Sequence, residues 1–212
     1  MNIVTISREF GSGGRELGKR IADILGYDYY DKEIISTIAK RHNLDENFVE
    51  NALTSAHLHT LPLTFKHSFT SPMYIATPKT DILLEQKRVI DEIAEKNRNC
   101  VIVGRNADVL LKGHEPFNIF VCAEMEERVK RCIERAEDGE NLSPKEIKKK
   151  IIRIDKNRKR TRYLISEKDW GSRKSYHLIV NTTDWDLKAL SEVVAGVVDR
   201  WFKDHQDNLE NK

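Results

Sequence analysis

Three glycines follow the first apolar stretch of the chain, and together they could form a turn that binds phosphate. The stretch "TISREFGSGGREL", residues 5–17, contains Gly11, Gly13 and Gly14 between a predicted strand and a predicted helix. Glycine allows left-handed backbone, and the amides of such a turn, at the positive end of a helix, attract anions. The Walker A pattern G-x-x-x-x-G-K-[ST] is not satisfied in any register. With Gly13 as its last glycine, Gly14 and Arg15 stand where lysine and a hydroxyl residue are expected, and with Gly14 as its last glycine, Arg15 and Glu16 stand there. A strand–helix turn that merely needs glycines is the alternative.

A second group of polar residues follows a fully apolar stretch. In "VIVGRNADVLL" the apolar run ends at Gly104, and Arg105, Asn106 and Asp108 come directly after it. Ligands of open α/β sheets collect at the carboxyl ends of the strands, where these side chains are expected to lie. A surface arginine with a solvated aspartate is the alternative interpretation.

The third candidate is a basic segment, residues 145–162, with ten Lys and Arg against Glu146 and Asp155, on a chain whose net charge is +2. Arg153, Arg160 and Tyr163 recur at spacings that could place them on one helical face. Such local concentration favours a clamp around a small, highly charged ligand, with a solvated basic helix as the alternative. Aromatic side chains between the cations are few, which disfavours nucleic acid.

Alternating strands and helices are predicted to position these groups. Apolar stretches at residues 2–6, 100–104, 117–123 and 177–183, with the short aromatic stretch "YDYYD", predict about five strands. Because the apolar strands are unbroken and alternate with helices, the fold class is α/β, a three-layer domain with a parallel sheet covered by helices on both faces. The helical pattern places Phe48 with Val49 on one face, and Val197 with Val198 on the buried side of the last helix.

The chain is expected to form one domain. Its core comprises residues 1–53 and 80–136 and continues over 173–204, with an inserted region at about 54–80 and a second segment outside the core at about 137–172. The inserted region is rich in Pro, His, Ser and Thr and shows no sustained period, as is typical of functional loops. Ser143, Pro144 and Glu146 form a capping box, so the basic segment is predicted to begin as a helix.

Composition excludes several classes of protein. The hydrophobic fraction of 39% suits a packed core, and no apolar run approaches the roughly 18 residues of a membrane span. No leader peptide is visible, and the three cysteines lack metal-type spacing, so reduced thiols and a cytoplasmic protein are expected. His57 and His59 have no carboxylate at ligand spacing, so no metal site is predicted.

Taken in order, these stretches resemble the cytidylate kinases, and most closely the cytidylate kinase-like group of the P-loop nucleoside monophosphate kinases. The segment from "TISREF" to "YDKEII" is similar to the amino-terminal signature of that group, "VIVGRNADVLL" to its Gly-Arg-Asp element, and "RIDKNRKRTRY" to its arginine-rich lid. The resemblance places the donor phosphates on the glycine turn: Gly11, Ser12, Gly13, Gly14, Arg15 and Glu16. It places the acceptor on Asp31, Arg105, Asn106, Asp108 and Tyr163, and catalysis on Arg15, Arg105, Arg153, Arg158 and Arg160. The lysine and hydroxyl residue of the turn are absent, and Asn106 and Asn157 replace two acids of the family.

The resemblance implies a P-loop NTPase-type fold in which residues at about 54–80 form the acceptor-binding region and residues at about 137–172 form the lid. It also implies phosphoryl transfer from ATP with Mg²⁺ to a nucleoside monophosphate, most simply CMP or dCMP, with no membrane involved. A kinase for another small acceptor and a nucleotide-binding sensor without transfer activity are the alternatives. Binding of RNA through residues 145–162 is a third and weaker one. Oligomeric state stays open.

Overall fold

The computed structural model describes residues 1–54, 79–136, 142–166 and 168–210, so the predicted acceptor-binding insertion lies almost wholly outside them. Five strands form one sheet in the order β2-β3-β1-β4-β5, and every neighbouring pair is parallel. The strands are β1 Ile3–Arg8, β2 Asp28–Tyr30, β3 Cys100–Val103, β4 Phe117–Cys122 and β5 Leu178–Asn181. The predicted α/β fold with a parallel sheet is confirmed.

Helices connect the strands and cover both faces of the sheet. They are α1 Gly14–Leu25, α2 Glu33–His42, α3 Glu46–Thr54, α4 Lys79–Glu95, α5 Ala107–Leu110, α6 Met125–Glu134, α7 Pro144–Ser166 and α8 Leu187–Glu210. None of the described helices offers an apolar stretch that could cross a bilayer.

Strand alternation divides the core into two layers. Ile3, Cys100 and Ile102 face α2, α3 and α4, whereas Val4 and Val101 face α1 and α8. Since the central strands β1, β3 and β4 are largely buried on both faces, they carry no regular solvent-facing polar alternation. The polar groups that these strands can offer to a ligand therefore lie mainly at their ends.

The predicted helix boundaries are confirmed where capping residues defined them. Gly26 ends α1 in the left-handed conformation at φ 65°. At the start of α7, the Ser143 amide donates to Glu146 Oε2 at 2.8 Å, and the Glu146 amide points back at Ser143 Oγ at 3.4 Å. The capping box thus starts the basic segment as a helix.

Two of the predicted buried positions are wrong. Val197 is 43% exposed and Phe48 is 46% exposed. The buried face of α8 is centred on Val194, Ala195 and Val198, so Val197 lies at its rim. Apolar character alone does not place a residue within such a face, because much of a protein surface is apolar.

Candidate functional site

The glycine loop, residues 9–13, joins β1 to α1 and is shaped by close contacts that only glycine permits. Gly11 and Gly13 have φ values of 81° and 79°. A Cβ at Gly11 would lie 2.8 Å from the Arg128 carbonyl oxygen, and one at Gly13 would lie 2.7 Å from Leu187 Cδ1. The loop therefore packs directly on α6 and on the start of α8.

Hydrogen bonds fix the glycine loop from beneath. Thr182 Oγ1 and Arg131 Nη1 both donate to the Ser12 carbonyl, at 2.7 and 3.2 Å. Arg128 Nε donates to the Phe10 carbonyl at 2.7 Å. Ser12 is itself fully buried, and its hydroxyl donates to the Glu9 carbonyl at 2.9 Å. With its carbonyls held from below, the loop is preorganised for an anion.

Asp155 ties α7 to the same loop. Its Oδ1 accepts a hydrogen bond from the Phe10 amide at 2.8 Å, and its carboxylate pairs with Arg128 of α6. Arg158, one turn further along α7, lies 3.5 Å from Asp155 and donates to the Arg8 carbonyl at 2.9 Å. The basic helix is thus attached to the loop through Asp155.

Four arginines gather at the carboxyl edge of the sheet, next to the loop: Arg8, Arg15, Arg105 and Arg158. Asp31, which follows β2, pairs with Arg15 and lies 3.6 Å from Arg8, and Glu50 lies 3.7 Å from Arg105. Burial lowers the pKa of Arg158 to about 10, and burial also lowers the pKa of Arg105. Cations held this closely favour an anionic ligand between them.

A first cavity of about 300 Å³ opens over the loop. The loop and the start of α1 contribute Glu9, Phe10, Gly11, Gly13 and Gly14 to its wall. The cations of the wall are Arg8, Arg15, Arg131, Arg135, Lys150 and Arg158. A small group of apolar side chains on and after α6 completes it: Cys132, Ala136, Leu142 and Ile147. Loop amides and cations suit phosphates, whereas the apolar side chains suit a less polar part of the same ligand.

A second cavity of about 560 Å³ lies on the other side of the arginines. It contains five arginines and five side-chain amides among its walls: Arg8, Arg15, Arg105, Arg153 and Arg158; Asn47, Asn51, Gln86, Asn106 and Asn157. Trp170 and Phe10 are its aromatic residues among the described part of the chain. This cavity suits a polar, anionic ligand with many hydrogen-bonding groups.

The two cavities share four wall residues, namely Arg8, Phe10, Arg15 and Arg158. A ligand in one cavity and a ligand in the other would therefore meet at a wall of arginines. Groups transferred between two bound molecules need this kind of proximity.

The predicted site residues fall into two sets. Most line a cavity: Gly11, Gly13, Gly14, Arg15, Arg105, Asn106, Arg153 and Arg158. Ser12 lies beneath the loop, and Asp31 is buried behind Arg8 and Arg15.

The other predicted residues lie outside both cavities. Glu16 pairs with Arg20 at 2.9 Å and with Arg135, Asp108 forms a buried ion pair with Arg162, and Tyr163 is 59% exposed. Arg160 is exposed, two turns beyond Arg153 on nearly the same face of α7.

The described residues hold no metal cluster made of protein side chains alone. They contain no group of three or more His, Cys, Asp or Glu side chains that could hold a metal. Glu16, which replaces the hydroxyl residue in one of the two registers of the Walker motif, is paired with two arginines, and the Asp31 carboxylate is paired with Arg15. Since both are already neutralised by cations, neither suits a divalent ion as it stands.

Arg8 and Arg128 are site residues that the sequence analysis missed. Arg8 is the last residue of an otherwise uncharged strand and directly precedes the glycine loop. A charged residue at that position in the sequence could have indicated a role in the site. Arg128 lies in a helix rich in charge, and nothing in its pattern separates it from surface arginines, although it is only 4% exposed.

A sequence model of the cytidylate kinase-like family matches residues 3–184 of this chain. A comparison with curated protein sequences gave no match.

Among solved structures, an uncharacterized protein from Eubacterium ventriosum is 22% identical with a TM-score of 0.68, over 94% of this chain and 99% of that one. The shikimate kinase of Bacteroides thetaiotaomicron is 14% identical with a TM-score of 0.56, over 93% and 98% of the two chains. A gluconokinase from Sinorhizobium meliloti is 12% identical with a TM-score of 0.52, over 98% and 97%. These likenesses show the P-loop kinase fold.

Proposed function

The chain belongs to the cytidylate kinase-like family, and on that premise we propose that it transfers a phosphoryl group from ATP to a nucleoside monophosphate, CMP or dCMP. One observation carries the proposal: two cavities, one above a glycine loop and one lined by arginines and amides, share a wall of arginines. Kinases need two such sites in contact, because the transferred group passes directly from donor to acceptor.

The first cavity suits the donor. Backbone amides of Gly11, Gly13 and Gly14 and the amino terminus of α1 would receive the triphosphate, with Arg15 beside it. The apolar side chains Ala136, Leu142 and Ile147 would face the nucleoside. The oxygens of a triphosphate would in turn neutralise Arg15 and Arg158.

The second cavity suits the acceptor. Arg105 is 91% buried at its side chain, and its Nε has no hydrogen-bond partner among the described residues. Arg153 lines the same cavity, and the amides of Asn106 and Asn157 supply further donors and acceptors. A phosphate on Arg105 would satisfy the buried guanidinium, and amides can read a pyrimidine edge.

Transfer needs no covalent protein intermediate. An oxygen of the acceptor phosphate forms the new bond to the terminal phosphorus as the bond to the bridging oxygen breaks, and that oxygen leaves with the electron pair on ADP. The arginines of the shared wall would balance the charge on the transferring group and hold both molecules in line. Mg²⁺ bound to the donor phosphates would supply further charge neutralisation.

An acceptor panel tests this proposal. ADP formation from ATP and Mg²⁺ is measured with CMP, dCMP, UMP, AMP and GMP, and with small hydroxylated acids, each against a reaction without acceptor. We expect turnover that depends on CMP or dCMP and product nucleoside diphosphate in equal amount to ADP. Tight ATP binding without turnover for any acceptor would overturn the kinase and favour the sensor.

Transfer to a small hydroxylated acceptor is a second candidate function, and one unsatisfied hydrogen-bond acceptor favours it. Asp31 Oδ1 is buried and accepts no hydrogen bond among the described residues, and an alcohol could donate one. Turnover with a hydroxylated acid and none with nucleotides in the same panel would establish this alternative.

A further inference from the structure

Arg8 lies at the end of the central strand, and its guanidinium occupies space that the neighbouring strand leaves empty. The Gly104 amide, directly after β3, donates to the Ile6 carbonyl of β1 at 2.8 Å, so the two strand ends run side by side. A Cβ on Gly104 would lie 1.6 Å from Arg8 Nη1. The guanidinium therefore lies across the Gly104 backbone, in a position that no other residue type at 104 would permit.

The charge of Arg8 is poorly matched by its protein surroundings. The side chain is 12% exposed and makes, within the described residues, one ion pair, at 3.6 Å to Asp31, and no hydrogen bond. Burial and the nearby Arg158, Arg105 and Arg15 lower its pKa well below the usual value. A guanidinium carries five donors, and buried donors are normally satisfied. These donors therefore suit a ligand that brings several oxygens and negative charge.

Arg8 differs from Arg15, the other arginine near the missing Walker lysine. Both residues line both cavities, but the Arg15 side chain is 54% exposed and its Nε is already paired with Asp31. Arg8 is the more enclosed of the two and keeps its donors unengaged. It also lies on the strand itself, whose position is fixed by two parallel neighbours.

We propose that Arg8 is a catalytic residue that binds the transferring phosphoryl group where the two cavities meet, and that Gly104 keeps the space its guanidinium needs. This role rests on the kinase function proposed above. In it, the planar guanidinium of Arg8 takes the place of the point charge of the missing lysine. Two N–H groups of Arg8 can bridge a non-bridging oxygen of the donor and one of the transferring group. Because charge at the junction is greatest during transfer, the effect falls on kcat more than on the binding of either substrate.

Four variants test Arg8 and Gly104 in the acceptor-dependent assay: Arg8→Gln, Gly104→Ala, the double variant, and Arg8→Lys. Removing one well-placed donor group from a transition state costs about 10²–10³ in kcat, which is the loss expected for Arg8→Gln. Gly104→Ala pushes the guanidinium aside, so it should lower kcat at least about ten-fold, and the double variant should be no worse than Arg8→Gln alone. Arg8→Lys keeps the charge without the fork and should still lose about ten-fold.

Matched controls separate this effect from general damage. Gly113→Ala introduces a Cβ that meets nothing within 4 Å, and Arg200→Gln removes an arginine whose side chain is 77% exposed. Both should keep kcat within about two-fold of the parent, as surface changes do. Circular dichroism confirms that each variant is folded at the assay temperature. Should Arg8→Gln not fold, Gly104→Ala and Arg8→Lys carry the kinetic test alone.

Binding of tripolyphosphate, measured by calorimetry, tests Arg8 without any acceptor. A linear polyphosphate can reach the shared wall, so Arg8→Gln should raise its Kd by about ten-fold or more while Arg200→Gln leaves it unchanged. If the parent protein transfers to no acceptor, the proposed function fails, and this binding loss still supports Arg8 as a phosphate ligand. Wild-type kcat and wild-type tripolyphosphate affinity in Arg8→Gln would overturn the inference. Losses in Arg8→Gln and Gly104→Ala that simply multiply in the double variant would overturn the role of Gly104.

Discussion

The Phe10 amide and the Asp155 carboxylate are joined by a hydrogen bond of 2.8 Å, so the glycine loop and the basic helix α7 form one unit. The contact spans 145 residues of sequence and links the two segments that carry most of the predicted phosphate ligands. Any movement of this part of α7 as a lid must therefore break or carry along a bond to the loop.

Asp155→Ala should weaken both the fold and the loop. Among the described residues, Arg128, 5% exposed at its side chain, would keep only Glu9 as an ionic partner, at 3.2 Å. Removing one partner of a largely buried pair typically costs about 3 kcal/mol in the free energy of unfolding. Urea unfolding measures this loss, and Asp23→Ala, which removes a carboxylate 60% exposed at the surface, is the control with almost no change expected.

Arg162 and Asp108 anchor the far half of α7, and breaking their pair should be costly. Their side chains are 3% and 2% exposed, and Arg162→Ala or Asp108→Ala leaves one buried charge alone. We expect either variant to lose about 3–5 kcal/mol of unfolding free energy. The double variant Arg162→Met with Asp108→Leu should recover most of it, since two apolar groups leave no charge behind. A double variant as unstable as the singles would show that the pair is needed for more than its charges.

Arg153→Ala and Arg160→Ala should both lower turnover with little effect on stability. Arg153 lines the second cavity, the proposed acceptor site, whereas Arg160 can reach a phosphate there only if α7 shifts when substrate binds. Loss of one charge-assisted contact predicts a decrease of at least about ten-fold in kcat/KM for the acceptor. Steady-state kinetics and thermal unfolding measure the two effects, and parental kinetics in both variants would exclude the clamp.

Nucleotide should protect Cys132 from alkylation. Burial raises the pKa of all three thiols, that of Cys100 to about 12, so iodoacetamide should react slowly with the folded chain and least with Cys100. Cys132 lines the first cavity and Cys122 does not. Peptide mass spectrometry should therefore show ADP slowing the labelling of Cys132 while Cys122 is unaffected. Equal labelling of Cys132 with and without ADP would place the nucleotide elsewhere.

The fold should lose stability through His177 as the solution becomes acidic. Burial and the nearby His205 lower the pKa of His177, whose Nδ1 accepts a hydrogen bond from the Asn118 amide at 2.9 Å. Because the unfolded chain binds the proton more readily, this contribution is complete above about pH 6.5 and decreases as the pH falls below it. Urea unfolding at pH 7.5 and 5.5 should show a larger loss in the parent than in His177→Gln. Identical pH dependence of the two proteins would exclude His177 as the cause.

Local sequence patterns predicted the strands, the helices and the glycine loop, because these depend on neighbouring residues. Each of these signals involves residues only a few positions apart: the apolar run of a strand, the glycine that ends α1 at Gly26, and the capping box of Ser143 and Glu146. Contacts such as Arg8 with Asp31 depend instead on strand order, since β3 lies between the two strands that carry them. No periodicity in one sequence specifies that order. For the same reason Arg162 reads as one cation of a solvated helix, although its partner, Asp108, makes it a core residue.

Gly104, Arg105 and Asn106 have φ values of 78°, 56° and 53°, three successive residues in the left-handed region. The arginine holds a conformation that costs an L-residue roughly 1–2 kcal/mol. Glycine at position 105 would relieve that cost and remove the cation proposed to bind the acceptor. On the proposed function, selection of this chain for heat resistance alone would therefore favour a substitution that lowers activity, so directed evolution here needs turnover and thermostability screened together.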